Sequence, residues 1–62
     1  MASTGLIGLG LIGGAIARRL VATGDAPLVF DLRAEAVDSA VGAGAIAASS
    51  IRELAQRCDI IL

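Results

Sequence analysis

The sequence predicts an α/β fold, a parallel sheet with helices on both faces, built as one β-α-β-α-β-α-β unit. Three observations predict it. Short apolar runs of strand length alternate with amphipathic stretches of helix length along the 62 residues. The strand-like runs are continuously apolar, the pattern of strands covered on both sides. Glycines punctuate the boundaries between runs rather than scattering through them.

Taken in order, Thr4-Gly5-Leu6-Ile7-Gly8 is an apolar run ending in glycine and predicts the first strand. A Gly-rich turn follows, and Leu11 to Thr23 repeats apolar residues at helical spacing through Ile12, Ala15, Ile16, Leu20 and Val21. Gly24 stands where a helix takes a left-handed residue just past its end. Leu28-Val29-Phe30 predicts the second strand, with Pro27 tolerated only at its start, where a missing N–H breaks no ladder, and Asp31 closing it. Ala34 to Val41 predicts the second helix, stopped by Gly42 and Gly44. Ala45-Ile46-Ala47-Ala48 is a weak third strand, assigned from its place in the alternation. Ser50-Ile51-Arg52-Glu53 fits a capping box, in which Ser and Glu satisfy each other's orphan backbone donors, and the third helix then runs to about Arg57. Asp59-Ile60-Ile61-Leu62 opens a fourth strand, so that the chain reads as the first half of a fold truncated within that strand.

Composition narrows the function classes. Hydrophobic residues make up 56% of the chain, yet Phe30 is the one aromatic, and Lys and His are absent. A chain this short buries only about 60% of its unfolded surface and usually leans on staples or partners. Cys58 is alone, which excludes an internal disulfide and a cysteine-rich metal site, and a free thiol is compatible with a cytoplasmic protein. Formal net charge is −1 with no basic run beyond Arg18-Arg19, so nucleic acid is not an expected partner. The uncharged stretch Gly5 to Ala17 is 13 residues, against about 20 needed to span a bilayer, and no membrane segment or signal peptide is expected.

Gly8-Leu9-Gly10-Leu11-Ile12-Gly13 matches G-x-G-x-x-G. Its context makes it specific: a strand before, a helix after, and Asp31 at the end of the second strand, 18 residues past Gly13. This is the fingerprint of a Rossmann dinucleotide site. Gly8 allows the tight turn, Gly10 lets a pyrophosphate reach the backbone, and Gly13 lets helix and strand pack closely. The unpaired N–H groups of Leu11, Ile12 and Gly13 then face the phosphates, assisted by the helix dipole. Gly14 is assigned to close packing. The competing reading is a Gly-rich strand-helix turn that binds nothing. A carboxylate at Asp31 accepts hydrogen bonds from the adenosine ribose and repels a 2′-phosphate, which favours NAD over NADP. Arg33 leaves NADP open, since it can receive that phosphate, stack on adenine, or remain a surface charge.

Other polar residues carry less. Arg18 and Arg19 lie about two turns into the first helix and read as a solvated face. Asp38, Glu35 and Glu53 fall on helix surfaces, and Cys58 reads as a small packed hydrophobe. Ser49 and Ser50 read as caps, because no His is present to activate a nucleophile.

Gly5-Leu6-Ile7-Gly8-Leu9-Gly10 with Gly13, Ala17, Leu20, Gly24 and Val29-Phe30-Asp31 resembles the opening of the β-hydroxyacid dehydrogenases, which include 3-hydroxyisobutyrate dehydrogenase, tartronate semialdehyde reductase and 6-phosphogluconate dehydrogenase. The resemblance continues through Glu35-Ala36-Val37, Gly42-Ala43-Gly44-Ala45, Ser49, Glu53-Leu54-Ala55 and Asp59-Ile60-Ile61, essentially the whole chain. It implies that Gly8, Leu9, Gly10, Leu11, Ile12 and Gly13 hold the pyrophosphate, with Asp31, Leu32 and Arg33 around the adenosine. It also implies a parent enzyme that moves hydride between NAD(H) and a small 3-hydroxy acid or its semialdehyde, and a homo-oligomeric parent. The family usually has Met at the positions of Ile12 and Ile16 and Asn at that of Arg19, which leaves the subfamily open. The glycine turn also resembles prephenate dehydrogenases, which typically have Ser at the position of Ala15, and a non-catalytic nucleotide-binding module is the reading from a different class. The Lys that the family uses for proton transfer has no counterpart in this chain, so no catalytic residue is assigned within it, and no metal ligand either.

Overall fold

A computed structural model describes residues 3–62. The elements are β1 (Thr4–Ile7), α1 (Leu11–Ala22), β2 (Leu28–Phe30), α2 (Ala34–Gly42), β3 (Ile46–Ala47), α3 (Ile51–Arg57) and β4 (Ile60–Ile61). All pairings are parallel, in the order β3-β2-β1-β4, so successive strands wind outward from β1 in both directions. Leu6 pairs with Val29, and Gly5 with both Leu28 and Ile61. Flanking bonds extend the short outer strands: Ile46 N–H donates to Pro27 and Ala48 N–H to Val29, while Ile7 N–H donates to Leu62.

Strand alternation sends the apolar residues to two separate cores. Leu6 and Val29 face α1 and α2, where Leu9, Ala17, Ala40 and Ala45 complete a cluster. Leu28 faces the other side with Leu54 and Ala48, and Phe30 and Cys58 pack against them. Fully burying a residue of Leu54's type contributes roughly 1.5–3 kcal/mol. Small residues at the interface let the helices lie close to the sheet. At Gly5 an added Cβ would sit 2.5 Å from Leu54 Cδ2 and 2.8 Å from Cys58 Sγ, so any side chain there would force these two to shift beneath α3.

Several local expectations shift by a residue or a face. α1 ends at Ala22 with Thr23 as its cap and Gly24 left-handed at φ +88°; the N–H groups of Gly24 and Asp25 close the turn on Val21 and Leu20. α2 includes Gly42, and Gly44 at φ +119° is the residue that ends it. The buried stripe of α1 centres on Ala17, whereas Ile12 is 76% exposed and Ala15 lies on the same open apolar face. Periodicity locates a stripe but leaves its direction to packing, and Gly13 is what draws the other face onto the sheet.

The cap of α3 also differs. Ser50 Oγ accepts from Glu53 N–H at 3.0 Å, as a capping box requires. Glu53, however, reaches back one residue further than expected: Oε1 accepts from the N–H and hydroxyl of Ser49, at 2.6 and 3.0 Å. Extended backbone at Ser50 turns its own N–H away and brings Ser49's within reach. Glu53 is therefore an engaged, half-buried group rather than a free surface charge, and its carboxyl lies below the usual range, chiefly through the Ser49 N–H.

Candidate functional site

The carboxyl ends of β1 and β2 and the amino end of α1 converge on one edge of the sheet, the usual ligand edge of an open α/β sheet. Gly8 takes φ +90°, which bends the chain sharply out of β1. Its N–H donates to Phe30 carbonyl at 2.9 Å, fastening the start of the turn to β2. Leu9 buries its side chain in the core, and its N–H donates to Asp31 Oδ2 at 2.6 Å. Gly10 is the N-cap of α1 and offers no capping side chain; the first helical bond runs from Gly14 N–H to Gly10 carbonyl. The N–H groups of Gly10, Leu11, Ile12 and Gly13 thus have no acceptor among the described residues. They form a row of free donors at a positive helix end.

The three glycines of the motif play different parts. At Gly10 an added Cβ would meet nothing within 4 Å, so the position is open and no packing demands glycine there. At Gly13 an added Cβ would overlap Gly8 carbonyl oxygen, so the close approach of helix to strand demands glycine. Gly14, expected to serve close packing, is not tight: an added Cβ would lie 3.9 Å from Leu9 carbonyl oxygen, ordinary contact distance.

Asp31 is the most heavily bonded side chain of the site. Oδ2 accepts from Leu9 N–H and from Arg33 Nη2 at 3.0 Å, while Oδ1 accepts from Arg33 N–H at 2.8 Å and Arg33 Nε at 3.1 Å. Its side chain is 8% exposed and that of Arg33 56%. The paired guanidinium, then Arg33 N–H, then Leu9 N–H hold the Asp31 carboxyl well below the usual carboxylate range, and the same pairing raises Arg33. A depressed folded-state value stabilises the fold above the ordinary carboxylate pKa of about 3.9, and that contribution is lost as pH falls through the folded value. We therefore expect the difference in denaturation midpoint between wild type and Asp31→Asn to stay constant from about pH 8 to pH 5 and to narrow only below about pH 4. A gap that already closes near pH 6 would contradict this assignment.

Of the residues expected around an adenosine, Asp31, Leu32 and Arg33 share a cleft of about 450 Å³ with Ile7, Gly8, Phe30 and Ile51. Leu32 is 93% exposed at its rim. Ile7, Phe30 and Ile51 supply apolar walls that sequence reasoning did not single out. The pairing of Ile7 with Phe30 is a register fact, and Ile51 arrives from the opposite layer. Arg18 is exposed, as a solvated face requires, and it also lines a groove of about 320 Å³ with Gly10, Arg33 and Ser39. Its side chain reaches back along the helix, so that an added Cβ at Gly14 would lie 4.0 Å from Arg18 Nη1. Arg19 stays exposed on the other side. Cys58 packs against the Leu54 cluster as a small hydrophobe. Among the described residues no group of three or more potential ligands is placed to hold a metal, and no helix is long and apolar enough to cross a membrane.

Residues 3–62 match the sequence profile of the NAD binding domain of 6-phosphogluconate dehydrogenase. The chain is 42% identical, over all 62 residues, to the NAD-dependent L-serine dehydrogenase of Pseudomonas aeruginosa. That match covers 21% of the relative. Among solved structures, an imine reductase variant from Myxococcus stipitatus in complex with NAD+ superimposes with a TM-score of 0.91 at 24% identity, over 98% of this chain and 21% of the other. An imine reductase from Pseudomonas sp. gives 0.89 at 28% identity, over 97% of this chain and 21% of the other. The chain thus spans about a fifth of the length of the relatives it matches.

Proposed function

The chain belongs to the family of the NAD binding domain of 6-phosphogluconate dehydrogenase, and on that premise we propose that it is the pyrophosphate- and adenosine-binding part of a dehydrogenase acting on a small 3-hydroxy acid. The observation that carries the binding half is the row of free N–H groups at Gly10, Leu11, Ile12 and Gly13, at a helix start with nothing packed on Gly10. Such a row at a helix amino end suits a pyrophosphate, which needs several donors and gains from the helix dipole. Gly8 and Leu9 serve it indirectly, since their N–H groups are spent on Phe30 and Asp31. Asp31, Leu32 and Arg33 border the adenosine side, with Ile7, Phe30 and Ile51 offering apolar contact to a base.

A bound NAD+ would supply the hydride acceptor for oxidation of a carbinol carbon. The residues of this chain orient such a group; the Lys that the resemblance implies as proton acceptor for the hydroxyl has no counterpart here, so that role is assigned to the rest of the parent. The 3-hydroxy acid class is supported by the family and by the named substrate of the Pseudomonas aeruginosa relative, L-serine being itself a 3-hydroxy acid. The test is reduction of NAD+ by the parent-length protein offered L-serine, 3-hydroxyisobutyrate and glycerate. Turnover of none of them, with reduction of a cyclic imine instead, would move the protein to the chemistry named for its structural neighbours.

NAD is the expected cofactor in preference to NADP. Asp31 keeps a carboxylate at the ribose position, and Arg33 is drawn onto it instead of standing free for a phosphate. In a fluorescence titration the parent-length protein should bind NADH more tightly than NADPH. Equal or reversed affinity would show that Arg33 leaves Asp31 and governs the adenosine end.

A further inference from the structure

We infer that Asp31 is a positioning residue for the phosphate site: its carboxylate holds the glycine turn in the shape that aims the free donors. The inference rests on the reading of the Gly10–Gly13 row as a phosphate site and adds a role to Asp31 besides contact with a ribose. Two consecutive N–H groups tie the turn to the end of β2. Gly8 N–H donates to Phe30 carbonyl, and Leu9 N–H donates to Asp31 Oδ2 at 2.6 Å, a bond that joins residues 22 apart. From Gly10 onward the N–H groups are free until Gly14. The bond to Asp31 is therefore the last fixed backbone point before the donor row.

Gly10 cannot supply that restraint itself, having no side chain to cap α1. Nor does packing supply it at Gly10, where nothing lies within 4 Å of an added Cβ. The carboxylate is in turn fixed by three bonds from Arg33, one from its N–H and two from its guanidinium. A carboxylate offers about four acceptor sites, and all four are used within the protein. Ribose hydroxyls can reach Asp31 only by displacing the guanidinium, since the Leu9 and Arg33 N–H bonds belong to the backbone. The Leu9 bond is thus the persistent one, kept with or without a dinucleotide.

The two roles of Asp31 separate with inorganic pyrophosphate, which has no ribose. Removing a carboxylate beside an anion site, and leaving Arg33 unpaired, favours pyrophosphate on charge alone. Loss of the restraint acts in the opposite direction. In the parent-length protein we expect Asp31→Ala to weaken pyrophosphate binding about five- to tenfold, the scale of one ordinary net hydrogen bond. Asp31→Asn, which keeps an acceptor oxygen for Leu9, should recover most of it. Amide hydrogen exchange gives an independent readout. In wild type the Leu9 N–H should exchange as slowly as that of Gly8; in Asp31→Ala it should exchange at the rate of Gly10, while Leu6 and Val29 stay protected.

Pyrophosphate affinity unchanged or improved in Asp31→Ala, with NADH affinity reduced, would leave Asp31 a ribose ligand and overturn the inference. A Leu9 N–H as fast as Gly10's in wild type would overturn it as well, and needs no variant that folds. Failure of pyrophosphate to bind wild type would refute the phosphate-site reading; the exchange rate of Leu9 then decides the restraint by itself.

Discussion

Replacing Gly10 by valine should abolish dinucleotide binding while leaving the fold intact. Gly10 sits at φ −68°, which any residue adopts, and an added Cβ meets nothing within 4 Å. The cost to stability is thus that of exchanging a favoured N-cap residue for valine, about 1 kcal/mol. We expect a branched side chain at Gly10, next in the chain to the free N–H groups of Leu11, Ile12 and Gly13, to obstruct an anion's approach to them. Losing two charge-assisted hydrogen bonds of roughly 1.5–3 kcal/mol each weakens binding at least about 100-fold. Paired urea melts and NADH titrations of the parent-length protein check both halves. Near wild-type affinity in a folded Gly10→Val protein would mean that the pyrophosphate does not cross this turn.

Gly13→Ala is expected to act in the opposite manner, on the fold first and on binding as a consequence. Its Cβ overlaps a backbone oxygen, that of Gly8, which has no rotamer by which to yield. α1 must move off β1, and overpacking of this kind costs up to about 3 kcal/mol. The same movement displaces the donor row, so affinity falls together with the denaturation midpoint. A variant that loses affinity without loss of stability would place Gly13 in direct contact with the ligand and not at the helix-strand seam. The two glycines lie three residues apart in one motif, and the contrast between them is a matter of neighbours: solvent for one, Gly8 for the other.

Much of the architecture was legible because the properties that define it are local. Strand-length apolar runs, helix-length amphipathic runs and left-handed glycines at Gly24 and Gly44 depend on a residue and its near neighbours. The glycine turn with Asp31 at the next strand end was likewise readable, since its spacing reflects one strand-helix-strand unit. Where local reading went astray, a residue had two local options and the folded structure chose between them. Glu53 could have bonded Ser50 N–H but bonds that of Ser49; Ala15 and Ile12 could have faced the sheet but Ala17 does.

By itself, then, the sequence determined the order of elements, the parallel α/β class and the place of the glycine-rich turn, all consequences of periodicity and of which residues tolerate φ > 0. Only the tertiary structure decided which donors of that turn remain free. Leu9 N–H is taken by a carboxylate 22 residues away, Arg33 is folded back onto that carboxylate, and Arg18 and Arg33 come to line one groove from α1 and the start of α2. It also decided that Ile7, Phe30 and Ile51 form one wall. These pairings join distant parts of the chain, and a hydrogen-bond donor is free or spent according to what the fold sets within about 3 Å of it.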